Sequence, residues 1–116
     1  MSITRHDAGP RMSKAVVHGN TVYLAGIVAD NAGGQSVAAQ TKDILSIIDG
    51  FLAKAGTDKS KLLSANIWIT DMSKFNEMNA EWDAWVSPGN TPARATVEAK
   101  LANPKYNVEI MVVAAR

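Results

Sequence analysis

The run Ser36-Val37-Ala38-Ala39-Gln40-Thr41-Lys42-Asp43-Ile44-Leu45-Ser46-Ile47-Ile48-Asp49-Gly50-Phe51-Leu52-Ala53-Lys54-Ala55 decides how this chain is organised. Val37, Thr41, Ile44, Leu45, Ile48, Leu52 and Ala55 recur three or four residues apart, which puts them on one stripe of an α-helix. Gln40, Lys42, Asp43, Asp49 and Lys54 fall away from that stripe. Gly56 follows where a left-handed C-cap is favoured. Gly50 interrupts the helix at a cost of about 1 kcal/mol relative to alanine, and a close backbone approach to a sheet is the expected compensation.

Working upstream, Ala15–His18 and Thr21–Ala25 read as strands, joined by hairpin chemistry at His18-Gly19-Asn20. Gly26 ends the second strand, residues 3–5 offer a short extra one, and Asn31-Ala32-Gly33-Gly34 is a turn. Downstream, Leu62–Ile69 alternates as a strand, with Leu63, Ala65, Ile67 and Ile69 on one face and Ser64, Asn66 and Trp68 on the other. A second helix follows, capped by Asp71 or Ser73, with the stripe Phe75, Met78, Asn79, Trp82 and Val86. Ser87-Pro88-Gly89 breaks it. Two closing strands, Arg94–Leu101 and Asn107–Ala115, flank a turn at Asn103-Pro104. The order is β-β-α-β-α-β-β, an α+β domain with a mixed sheet and both helices on one face. Two helices shield one side only, so the other is expected to be closed by symmetric partners.

The 116 residues suffice for one domain, spanning 1–116, with no repeat or linker. An apolar fraction of 47% and a charged fraction of 20% are those of a globular protein. There is no cysteine, which excludes disulfides, thiol nucleophiles and cysteine-ligated metals. His6 and His18 have no partners at metal-ligand spacing, so no metal is expected. Neither a phosphate-binding loop nor a G-x-S-x-G elbow occurs. The net charge of +1 comes from scattered Lys and Arg, without the basic stripe or aromatic platform that nucleic acid requires. No apolar run approaches the roughly 20 residues that span a bilayer. The N-terminus is polar from the outset, so a soluble cytoplasmic protein is expected.

The polar residues that interrupt this pattern are the candidates for chemistry. Arg94, Thr96, Glu98 and Lys100 share one face of their strand, and Arg94 follows a loop stiffened by Pro88 and Pro92. A guanidinium there is either a solvated structural group or a fork that grips a small carboxylate through two parallel hydrogen bonds. Glu109 shares its face with Asn107, Met111 and Val113. It therefore points to solvent in a surface ion pair or is held by a partner. Asn79 puts an amide into an apolar stripe, either to cap a loop or to serve a site. Trp68, Trp82 and Trp85 are most simply core or subunit-interface residues.

Pro92-Ala93-Arg94-Ala95-Thr96-Val97-Glu98, Asn107-Val108-Glu109-Ile110 and the ending Val113-Ala114-Ala115-Arg116 together resemble the C-terminal signature of the RidA/YjgF proteins. These are the reactive intermediate imine deaminases, or L-PSP endoribonuclease-like family. Asn20–Gly26, the helix bearing Gln40, and Phe75–Trp82 extend the resemblance over almost the whole chain. It implies a chorismate-mutase-like fold, a homotrimer with sites in the clefts between subunits, and no cofactor. It also implies hydrolysis of small imine or enamine carboxylates to 2-keto acids and ammonia. Arg94 would hold the carboxylate and Glu109 would act on the hydrolytic water. Asn79, Thr96, Trp82, Gly26 and Met12 would complete the substrate pocket. The chain departs from the family pattern at Arg11-Met12, where Pro-Tyr is usual, and at Ala25, where Ser is usual. Trp82 replaces an aromatic hydroxyl and Thr96 a frequent Cys. The pocket has lost hydroxyls. A non-catalytic trimeric sensor of keto acids is the alternative reading, and the ribonuclease or translation-inhibitor activity of the family name is a third.

Overall fold

The computed structural model describes residues 1–116. Six strands, β1 (Ile3–His6), β2 (Ala15–His18), β3 (Thr21–Leu24), β4 (Leu62–Ile69), β5 (Ala93–Glu98) and β6 (Val108–Ala115), form one sheet in the order β1-β2-β3-β6-β4-β5. All neighbours are antiparallel except β4 and β5, which run parallel and are joined by helix α2 (Phe75–Trp85). The first helix, α1 (Val37–Lys54), connects β3 to β4. The expected α+β architecture, a mixed sheet with two helices, is what is found.

The helix over residues 37–54 forms for the reasons its sequence carries. Ser36 is extended and its hydroxyl accepts from the Ala39 N–H, a side-chain N-cap. Gly56, at φ 83°, takes the left-handed position beyond the end. Ile44, Ile48 and Leu52 are fully enclosed and pack with Met78 of α2 and with Ile67, Ile69, Val108, Ile110 and Val112 of the sheet. Each aliphatic side chain so buried contributes about 1.5–3 kcal/mol.

Three local expectations are corrected. Gln40, placed away from the apolar stripe, is fully buried. Its amide donates to the carbonyls of Gln35 and Lys105 and to Asn107 Oδ1, and it accepts from the Asn107 N–H at 2.8 Å. With every polar atom partnered, the burial is tolerated. Leu63 was expected on the core face, yet it is 50% exposed while Leu62 is buried. A β-bulge between Leu62 and Ser64 reverses the alternation at the start of β4. Gly50 does not approach the sheet, since a Cβ built there meets nothing within 4 Å. Asp71 caps a short 3-10 turn, Met72–Lys74, that leads into α2.

The sheet's second face carries no helix. Glu109, Met111 and Val113 of β6 alternate with buried neighbours and stay partly accessible, while Tyr23 is 47% and Val97 50% exposed. No helix is long and apolar enough to cross a membrane.

Two measurements check this account. Gly50→Ala removes backbone freedom at an open helical position and should raise stability by about 0.5–1 kcal/mol in urea denaturation. Asp7, Asp58 and Asp71 are all held below the usual carboxylate range, Asp7 by a hydrogen bond from Lys54 and the others by hydrogen bonds from Ser60 and Ser73. Carboxyls with depressed folded values stabilise while ionised, and that contribution is lost as pH falls through those values. The urea midpoint should therefore drop below about pH 4, and Asp71→Asn should flatten part of that drop.

Candidate functional site

Pairing in the sheet fixes where the candidate residues point. Arg94 of β5 pairs with Ala65 of β4, which in turn pairs with Val112 of β6. Thr96 pairs with Ile67, and Ile67 with Ile110. Ala65, Ile67, Ile110 and Val112 are all buried beneath the helices. Directly paired residues project to the same side, so Arg94 and Thr96 lie on the helix face, at the sheet edge. Glu109 pairs with Trp68, and Trp68 with Val97. That row projects from the opposite, helix-free face. Within one chain the two charged candidates are therefore not brought together.

On the helix face, α2 overhangs the edge strand. Phe75, Asn79 and Trp82 stand four and three residues apart, which aligns them along one side of the helix. Arg94 lies along that row. Its Nη1 donates to Asn79 Oδ1 at 2.8 Å, and its guanidinium carbon is 5.3 Å from the Trp82 ring centroid and 5.9 Å from that of Phe75. Both distances are within the range of cation–π attraction. Trp82 is itself buried and stands against Trp85, with centroids 5.4 Å apart. Two residues along, the Thr96 hydroxyl is enclosed without a hydrogen-bond partner. Such a group forfeits about 1–3 kcal/mol unless something else satisfies it.

On the open face, Glu109 folds against the backbone of Gly26. A Cβ on Gly26 would stand 3.0 Å from the Glu109 carboxyl carbon and collide with Oε2. The absence of a Cβ at Gly26, not a positive φ, is what lets the carboxylate sit this close. The Ile27–Ile110 bridge, with N–H···O bonds of 2.8 and 3.0 Å, holds the two segments together. Met12 is 47% exposed on the loop between β1 and β2. That loop ends at Lys14, whose carbonyl accepts from the Ala25 N–H at 2.9 Å, so Met12 belongs to the same end of the sheet as Gly26.

Charge sets both groups apart. The chain's one ion pair joins Lys54 to Asp7 at 2.6 Å. Neither Arg94 nor Glu109 is neutralised by its own chain. The candidates thus sort into two groups: Arg94, Asn79, Thr96 and Trp82 on the helix face, and Glu109, Gly26 and Met12 on the open face or at its rim. By spacing Phe75 belongs to the core stripe, and its four-residue separation from Asn79 is the signal for its second role beside Arg94. Gln40, with Asn107 and Thr70, anchors the entry to β6 and hence the approach to Glu109, a role no local pattern signals.

Known proteins place the chain firmly. A family model described as Endoribonuclease L-PSP matches residues 3–116. The RutC family protein YoaB of Escherichia coli is 47% identical over 115 residues, covering 99% of each chain. A RutC family protein of Haemophilus ducreyi is 43% identical over 113 residues, covering 97% of this chain and 96% of its own. Among solved structures, a YjgF-family protein of Neisseria meningitidis superposes with a TM-score of 0.96 at 46% identity, over 100% of this chain and 96% of that one.

The Gly26 contact yields a direct prediction. Gly26→Ala should displace the Glu109 carboxylate, visible by crystallography, with little loss of stability because the colliding atom is the free end of a flexible side chain. An unmoved carboxylate would refute the close-packing account.

Proposed function

The chain belongs to the YjgF/RutC, or Endoribonuclease L-PSP, family, and from that premise we propose that it is a cofactor-free hydrolytic deaminase of small imine or enamine carboxylates, acting in the cytoplasm as a homotrimer. The observation that carries the reading is the pair of uncompensated charges on opposite faces of one sheet. A site that uses both must be assembled from two copies, with the Arg94 half of one protomer facing the Glu109 half of the next. The apolar, helix-free face bearing Tyr23, Val97, Met111 and Val113 supports such assembly, since a surface of that kind is normally covered.

In this reading the Arg94 fork binds the substrate carboxylate, and the unpartnered Thr96 hydroxyl offers a further hydrogen bond. Met12 and Trp82 line the pocket, and Gly26 lets the Glu109 carboxylate sit back against the backbone. Glu109 takes a proton from water as its oxygen attacks the imine carbon. That proton passes to the nitrogen to give the carbinolamine; the carbinolamine hydroxyl then gives up its own proton, the nitrogen takes it, the C–N bond breaks, and ammonia leaves as C=O forms. The substrate is already electrophilic, so the barrier to be lowered is small compared with most enzymatic reactions. Each charge-assisted hydrogen bond to the carboxylate contributes about 1.5–3 kcal/mol.

A keto-acid sensor without turnover is the second reading. It is favoured by Met12 and Ala25, which place no hydroxyl at the Gly26 end of the sheet where relatives usually carry them. A net charge of +1 without a basic stripe argues for a small anion over RNA.

Ammonia release from enzymatically generated 2-aminoacrylate and bulkier imines tests the proposal. Arg94→Ala should raise KM about 10- to 100-fold, and Glu109→Gln should lower kcat about 100-fold. Unfolding the two variants together in equal amounts and refolding should restore about a quarter of the sites, because a quarter of adjacent pairs then carry both intact groups. Full activity in Arg94→Ala would reject the anchor role, and no restoration on mixing would reject the shared site. Calorimetric binding of 2-oxobutyrate without any deamination would favour the sensor.

A further inference from the structure

Arg94 is not simply available at the sheet edge; it is held in a stated orientation by α2. Asn79 is half-buried in the middle of the row Phe75–Asn79–Trp82, and its Oδ1 is committed to Arg94 Nη1 at 2.8 Å. The rings of Phe75 and Trp82 lie within 5.9 and 5.3 Å of the guanidinium carbon. An exposed arginine side chain ordinarily samples many rotamers. Here two rings and an amide from one rigid helix restrict it.

The chemistry of the guanidinium makes the consequence specific. It carries five N–H groups in a planar fork. Whichever hydrogen Nη1 donates to Asn79, the edge formed by Nε and Nη2 keeps both of its own. No other hydrogen bond engages the Arg94 guanidinium, and no carboxylate pairs with it. That edge is therefore free to make two parallel bonds to a planar anion.

We infer that Asn79 is a positioning residue, acting through Arg94 rather than touching the ligand: it takes up Nη1 and so presents the Nε–Nη2 edge to a carboxylate. The inference rests on the reading of Arg94 as the carboxylate anchor. It makes the site selective for two-oxygen planar anions over neutral amides of the same shape. An amide can accept at one oxygen only, and its NH2 faces an N–H of the fork. Aspartate at position 79 would pair with Arg94 and compete with the ligand, so the neutral amide is the acceptor this role requires.

The test is calorimetry on the intact protein with 2-oxobutyrate and with 2-oxobutanamide, for the wild type, Arg94→Ala, Asn79→Ala and Asn79→Asp. Asn79→Ala should weaken 2-oxobutyrate binding about tenfold and leave 2-oxobutanamide nearly unchanged, so that the acid-to-amide preference falls by the same factor. Alanine is a better helix former than asparagine, so α2 is not put at risk, and circular dichroism checks this. Asn79→Asp should bind 2-oxobutyrate still more weakly at neutral pH and recover as the new carboxyl protonates. An equal loss for acid and amide in Asn79→Ala would show direct ligand contact and overturn the inference. So would an unchanged acid affinity in Asn79→Ala while Arg94→Ala loses binding. Unchanged affinity in Arg94→Ala would instead overturn the anchor reading on which it rests.

Discussion

Side chains of directly paired residues in a β-sheet project to one side, and successive residues alternate. In this protein β4 pairs with both β5 and β6, so it relays that rule across the sheet and decides the direction of every residue of chemical interest. Ala65 and Ile67 align Arg94 and Thr96 with the helix face, and Trp68 aligns Glu109 with the open one. A one-residue slip of β5 would turn Arg94 away from α2 and expose the Thr96 hydroxyl. The β4–β6 part of the register is protected by what those two strands bury, namely Ala65, Ile67, Ile69, Val108, Ile110 and Val112 beneath α1 and α2, while β5 buries no residue of its own. Function and stability thus depend on one alignment.

The consequences for electrostatics follow from position. Lys54 and Asp7 satisfy each other at the surface, where such a pair contributes little. Arg94 and Glu109 have no such neutralisation, and each is steadied by other means. Aromatic faces and an amide hold Arg94, and close backbone contact at Gly26 seats Glu109. Groups restrained without being neutralised remain available to a ligand of opposite charge or to a proton. That is the physical basis for reading them as ligand-facing groups.

Several elements were legible because their signals are local. The α1 stripe and Gly56 follow from spacing and backbone preference alone. The β2–β3 hairpin follows from Gly19-Asn20. Failures occurred where a local pattern met a tertiary demand. Gln40 looks like a surface residue by spacing, but Asn107 and two carbonyls from distant loops give it a buried role. Leu63 obeys strict alternation on paper, and a bulge that no periodicity reveals turns it outward. Gly50 suggested a close approach that is absent, so its cost remains uncompensated.

The amino-acid sequence by itself determined the element order, the apolar stripes, the absence of thiol chemistry and the family, because these are properties of residue identity and spacing along one dimension. It also singled out Arg94, Glu109 and Asn79 as departures from apolar pattern. Only the tertiary structure decided that Arg94 and Glu109 diverge and that Asn79 is bound to Arg94. It likewise decided that Gly26 makes room for a carboxylate. Those facts depend on strand pairing and helix docking between residues 15 to 83 positions apart in the chain, and such contacts leave no periodic trace in the order of residues.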